Sequence, residues 1–111
     1  MFCMNKITNC PLCAPFEDNQ KIIFETETCY CIQKGSEQEV LKGSGLIVPK
    51  IHRQTVFDLT DQEWKDTKYL LQKAKQLLDE TYAPGGYSVG WNTGEVGGQS
   101  IPHAHLHIIP R

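Results

Sequence analysis

His103-Ala104-His105-Leu106-His107-Ile108-Ile109, near the end of the chain, reads as a β-strand of alternating histidine and aliphatic residues. Strand side chains alternate faces with period two. His103, His105 and His107 are therefore expected on one face, and Ala104, Leu106 and Ile108 on the other. The chain has 4 histidines, so only His52 lies outside this stretch. Imidazole suits proton transfer near neutral pH, nucleophilic attack on phosphorus, or metal ligation. A row of imidazoles makes a poor core and a good site.

Working outward, the preceding segment is glycine-rich from Asn92 to Gly98, and the strand is expected to run from Ser100 to Ile109, closed by Pro110. Tyr87 to Trp91 alternates as another strand. Before it lies a long helix. Thr60-Asp61-Gln62-Glu63 has the capping-box form. Trp64, Thr67, Leu71, Ala74 and Leu78 then recur at three and four residues, widened by Leu70, Leu77 and Tyr82. Pro84-Gly85-Gly86 is the expected stop. Further upstream, Lys21 to Glu27, Thr28 to Gln33 and Gly45 to Val48 read as strands, with a polar loop from Lys34 to Ser44. About five mostly antiparallel strands with one long helix make an α+β fold. Ala104, Leu106 and Ile108 are expected against the helix, which would leave the histidines on the open face.

Composition narrows the function classes. At 111 residues with no linker, repeat or low-complexity tract, residues 1–111 are expected to form one domain. The formal net charge of -2 offers no broad basic field for duplex nucleic acid. No apolar run approaches a membrane span, and no charged segment followed by an apolar one heads the chain. With Met1 in place and 5 cysteines, an odd number, thiols or thiolate ligands are expected rather than a disulfide framework. These features together predict a cytoplasmic location.

Two chemistries compete for the histidine row. Alternate strand residues lie about 6.5–7 Å apart at Cα, so two or three imidazoles could ligate a metal that activates water. Against that, Gly94, Gly97 and Gly98 allow backbone amides to approach an anion, and Gln99 and Ser100 add donors. That surround suits phosphate better.

These residues carry a resemblance. Gly98-Gln99-Ser100-Ile101-Pro102-His103-Ala104-His105-Leu106-His107-Ile108-Ile109 is similar to the signature of the histidine-triad (HIT) nucleotide hydrolases and transferases. Leu46-Ile47-Val48-Pro49-Lys50-Ile51-His52 and Phe57-Asp58-Leu59 resemble other segments of the same family. The resemblance implies a HIT-like subunit that pairs with its twin into one continuous sheet. It implies hydrolysis or nucleotidyl transfer at the α-phosphate of a nucleotide. Dinucleoside polyphosphates are the first expectation; nucleoside phosphoramidates, or a slow nucleotide-binding module, are the alternatives. It makes His105 the nucleophile, gives His107 a phosphate contact, and gives Ser100 the hydroxyl that donates to the leaving group. Asn92 and Gln99 match polar residues near the phosphates. Two positions depart from the pattern. Ser44 stands where the family carries a histidine, and Lys34 where it carries the Asp or Asn that grips ribose. Leu12, Phe24 and Ile32 occupy registers suited to a nucleobase pocket.

Cys10-Pro11-Leu12-Cys13 is the second constellation. No βαβ pattern surrounds it, which argues against a thioredoxin-like motif. Zinc takes four ligands. His52 is the histidine outside the row, and His103 is the member of the row least needed for phosphate chemistry. The resemblance agrees, since family members with this cysteine pair join it to both. One structural zinc per chain, held by Cys10, Cys13, His52 and His103, is expected. Cys29 and Cys31 are expected as core and edge thiols, Cys3 as a terminal thiol, and Trp64 and Trp91 as packing residues.

Overall fold

The computed structural model describes residues 10–14, 16, 19–38 and 41–111. Cys3 lies outside them. Five strands, β1 (Gln20–Glu25), β2 (Cys29–Lys34), β3 (Gly45–Pro49), β4 (Tyr87–Trp91) and β5 (Leu106–Pro110), form one sheet of order β1-β2-β3-β5-β4, and every pairing is antiparallel. The helix α1 (Asp61–Tyr82) packs on one face. The α+β expectation holds. Among the described residues, no helix is long and apolar enough to cross a membrane.

The capping box closes as its residue types require. Thr60 Oγ1 accepts the Glu63 amide at 3.1 Å, and Glu63 Oε1 accepts the Thr60 amide at 2.8 Å. The helix ends with Ala83 in the left-handed region (φ 47°, ψ 54°), its amide donating to Asp79 O at 3.0 Å, just ahead of Pro84. The buried stripe is Glu63, Thr67, Leu70, Ala74 and Leu78. It is rotated from the expected one: Trp64 and Tyr82 are largely exposed, and Glu63 takes the inward position. The cause is Arg53, described below, which gives a buried carboxylate its partner.

Leu70, Ala74 and Leu78 pack on Cys29, Cys31, Ile47, Leu106 and Ile108. Leu106 and Ile108 therefore face the helix, as alternation predicts. Fully burying a side chain such as Leu70 contributes about 1.5–3 kcal/mol. Cys29 and Cys31 are both core residues of a central strand, so neither is the expected edge thiol, and burial pushes the Cys31 thiol up to about 12. Trp64 and Trp91 pack edge-to-face at 5.9 Å.

The opposite face of the sheet carries a smaller cluster. Leu12, from the N-terminal segment, covers Ile32, Leu46 and Val48. Leu12 and Ile32 are thus core residues, and Phe24 packs against the helix-side cluster.

The largest departure is in the decisive stretch itself. β5 begins at Leu106, not at Ser100. Residues 100–105 bend instead, because Pro102 has no amide to offer a ladder, and because His103 and Ala104 find partners on the 49–53 segment. Only His107 of the three histidines lies on a strand. His103 and His105 are buried, at 0% and 4% exposure. The three do not share an open face: the His103 ring meets His52 at 4.7 Å, while the His105 and His107 rings meet each other at 4.9 Å.

Candidate functional site

Two sites meet at His103. The first is a cysteine–histidine cluster. Cys10, Cys13, His52 and His103 bring four ligand atoms within 4.8 Å of one another, a group that could hold a metal ion. His52 Nδ1 and His103 Nδ1 lie 3.1 Å apart, and Cys13 Sγ is 3.3 Å and 3.6 Å from them. Cys10 Sγ is 3.5 Å from His103 Nδ1. A tetrahedron with zinc-like bonds of about 2.0–2.3 Å has edges of about 3.3–3.8 Å, so the donors are already near the right spacing. His103 Nε2–H donates to the Pro49 carbonyl at 3.0 Å, which leaves the Nδ1 lone pair facing the cysteines. Burial pushes the His103 pKa down to about 4, and burial also lowers that of His52. Both rings are then neutral at pH 7, as ligation requires. Two thiols and two neutral imidazoles with oriented lone pairs fit a structural zinc.

The second site is around His105. Its Nδ1–H donates to the His103 carbonyl at 2.7 Å, so Nε2 carries the lone pair. Burial is the main influence lowering its pKa, with Lys34 acting the same way and the His103 carbonyl and Glu37 opposing. The ring lines a cavity of about 300 Å³ together with Lys34, Glu37, Ser44, Ser100 and His107. His107 donates from Nε2 to Asn92 Oδ1 at 3.1 Å, and Asn92 Nδ2 donates to Gly97 O at 2.9 Å. The turn needs its glycines: a Cβ on Gly97 would overlap the Thr93 carbonyl, and Gly98 has φ 92°. Gln99 spans the turn, its Oε1 accepting the Gly94 amide at 2.9 Å and its Nε2 donating to Gln54 O at 2.6 Å and Ile101 O at 2.9 Å. Ser100 is exposed at the cavity rim.

All nine residues singled out in the sequence are therefore drawn into one region, but as two adjoining groups that share His103. Sequence reasoning missed three participants. Glu37 comes from the loop after β2, and nothing in its local pattern marks it. Arg53 Nε meets Glu63 Oε1 and Oε2 at 3.1 and 3.2 Å, and the Arg53 carbonyl accepts the Ala104 amide at 2.7 Å. The pair left no signal in the sequence, where Glu63 reads only as a helix cap.

Comparison with protein families matches residues 16–111 to the HIT domain. The chain belongs to the HIT family. The Bacillus subtilis (strain 168) HIT protein named Protein hit is 37% identical over 73 residues, covering 66% of this chain and 50% of that protein. A Dictyostelium discoideum protein named bis(5'-adenosyl)-triphosphatase is 32% identical over 91 residues, covering 82% of this chain and 60% of its own length. The chain thus spans a little over half of these curated HIT relatives. Among solved structures, a HIT family protein from Bacillus anthracis superposes with a TM-score of 0.75 at 32% identity, covering 82% of this chain and 63% of that one.

Proposed function

We propose that residues 1–111 act as one nucleotide-hydrolysing or nucleotidyl-transferring HIT domain, with dinucleoside polyphosphates as the first substrate class. The observation that carries this reading is the 2.7 Å bond from His105 Nδ1–H to the His103 carbonyl, which leaves Nε2 basic at the ~300 Å³ cavity. In the proposed reaction, His105 Nε2 attacks the α-phosphorus, a P–N bond forms, and the P–O bond to the leaving phosphate breaks. The Ser100 hydroxyl donates to the departing oxygen. Water then attacks the same phosphorus, the P–N bond breaks, and a nucleoside monophosphate leaves. His107 contacts the phosphate, with Asn92 holding its ring. Gln99 acts on the phosphate side by setting the turn whose backbone amides meet the developing charge.

Cys10, Cys13, His52 and His103 would hold one zinc per chain, which supplies cross-linking of the N-terminal segment to the catalytic stretch and no chemistry at phosphorus. The free thiols of Cys29 and Cys31 agree with a cytoplasmic setting. A homodimer completes the reading. β4 is an edge strand whose Val89 is exposed, and an apolar groove of about 460 Å³ runs beside it, lined by Trp64, Leu71 and Trp91. Pairing of two β4 edges would cover both and make one continuous sheet with two active sites.

The test is turnover with dinucleoside polyphosphates and nucleoside phosphoramidates, with mass mapping of a trapped adduct. An adduct on His105, and loss of turnover in His105→Ala with nucleotide affinity kept within about tenfold, support it. Undiminished hydrolysis by that variant rejects it. The alternative of a slow binding module draws on Lys34 and Ser44, and predicts binding with no adduct. Chelation separates a catalytic metal from a structural one, since only the former loses turnover while the fold persists. Sedimentation at micromolar concentration tests the dimer.

A further inference from the structure

The peptide unit between His103 and Ala104 is gripped at both ends. Its carbonyl accepts His105 Nδ1–H at 2.7 Å, and its amide donates to the Arg53 carbonyl at 2.7 Å. A trans peptide is planar, with C=O and N–H pointing in opposite directions. Fixing the amide therefore fixes where the carbonyl points. That carbonyl decides which nitrogen of His105 carries the proton.

Arg53 is in turn anchored from the far side. Its Nε–H meets both carboxylate oxygens of Glu63, at 3.1 and 3.2 Å. Glu63 is 2% exposed and held by the Thr60 amide at 2.8 Å. The neighbours of Arg53 grip the same stretch at other points. The His52 ring lies against His103, and the Gln54 carbonyl accepts Gln99 Nε2 at 2.6 Å. Since residues 100–105 have no ladder of their own, this segment takes the place of a partner strand.

We propose that Arg53 is a positioning residue for His105, transmitting the fixed N-terminus of α1 through the His103–Ala104 peptide to the imidazole. This rests on the reading of His105 as nucleophile. Arg53 is not among the residues lining the His105 cavity, so its loss should act on kcat. Arg53→Met should lower kcat by about tenfold to a hundredfold, the scale of a small misplacement of a reacting group, with KM within about threefold of wild type. Arg53→Lys should recover part of the loss by restoring a charge to Glu63. The decisive readout is ¹⁵N NMR of the histidine rings at neutral pH. Wild type should show His105 as the Nδ1–H tautomer, and Arg53→Met a mixture of tautomers.

Zinc content and far-UV circular dichroism, measured on the same samples, keep metal loss and unfolding apart from positioning. If Arg53→Met does not fold, Arg53→Lys and Glu63→Gln carry the same comparison with smaller expected changes. A folded, zinc-matched variant with kcat within threefold of wild type and an unchanged His105 tautomer overturns the proposal. Wild type without turnover or adduct would instead overturn the functional reading, and the tautomer comparison would still decide the role of Arg53.

Discussion

Ser44 offers a perturbation whose sign is set by one atom. It is 4% exposed, and among the described residues its Oγ is a buried side-chain atom with no hydrogen-bond partner. Its backbone is secured independently, since the amide donates to Leu41 O at 2.9 Å and the carbonyl accepts Gln38 Nε2 at 3.0 Å. Ser44→Ala therefore removes an orphan hydroxyl and leaves the loop intact. Desolvating such a group costs about 1–3 kcal/mol. Removing one atom forfeits a few contacts at about 0.1–0.2 kcal/mol each. The net expectation is a gain of about 1 kcal/mol, or an increase in melting temperature of about 4 °C for a domain of this size. The assay is urea denaturation with wild type and variant at matched zinc loading. Ser44 also lines the His105 cavity, but its Oγ is buried and turned away from any ligand there. Nucleotide affinity should then stay within about threefold of wild type, well under 1.4 kcal/mol, so that the variant changes stability alone. A loss of stability above about 0.5 kcal/mol would refute the reasoning, because it would mean the hydroxyl is already paired.

Cys10→Ser should lower zinc content below one per chain and reduce the melting temperature; metal analysis with paired melts checks this. Ala83→Gly should stabilise by about 1 kcal/mol, since Ala83 holds φ 47° at the helix end and glycine bears that conformation without strain; an unchanged urea midpoint would contradict it. Asp66 accepts Thr28 Oγ1 at 2.5 Å, and this bond above all holds its carboxyl below the ordinary range. A lowered folded value stabilises above the unfolded value of about 3.9 and stops doing so as pH falls through the folded one. Solvent screening limits the effect to under about 1 kcal/mol. Wild type should therefore exceed Asp66→Asn at pH 7, and their melting curves should converge in acid.

The elements that local chemistry dictates were legible. The Thr60–Glu63 cap, the Tyr87–Trp91 strand and the inward facing of Leu106 and Ile108 all follow from residues close in sequence. So did the gathering of Cys10, Cys13, His52 and His103, because few other ligands were available. What failed was set by long-range partners. Alternation carried the final strand back to Ser100, but Pro102 and the pull of Arg53 O and Pro49 O on residues 103 and 104 bend the chain there. Glu63 reads as a helix cap; its burial is set by Arg53, ten residues earlier, across a turn whose geometry no periodicity encodes. Glu37 joins the His105 cavity only because the loop after β2 folds over the sheet.

The late start of β5 also divides the molecule by timescale. Leu106–Pro110 sits between two strands, so its amides exchange with solvent only when the sheet itself opens. The Ala104 amide rests on one carbonyl outside the sheet. Residues 100–105 are held by the 49–54 segment and not by a sheet ladder, so their amides are expected to exchange through openings smaller than unfolding of the sheet. Hydrogen exchange at Ala104 against exchange at Ile108 would measure the gap between the two rates. A wide gap would mean that the stretch beside the His105 cavity opens like a door without disturbing the wall it is set in.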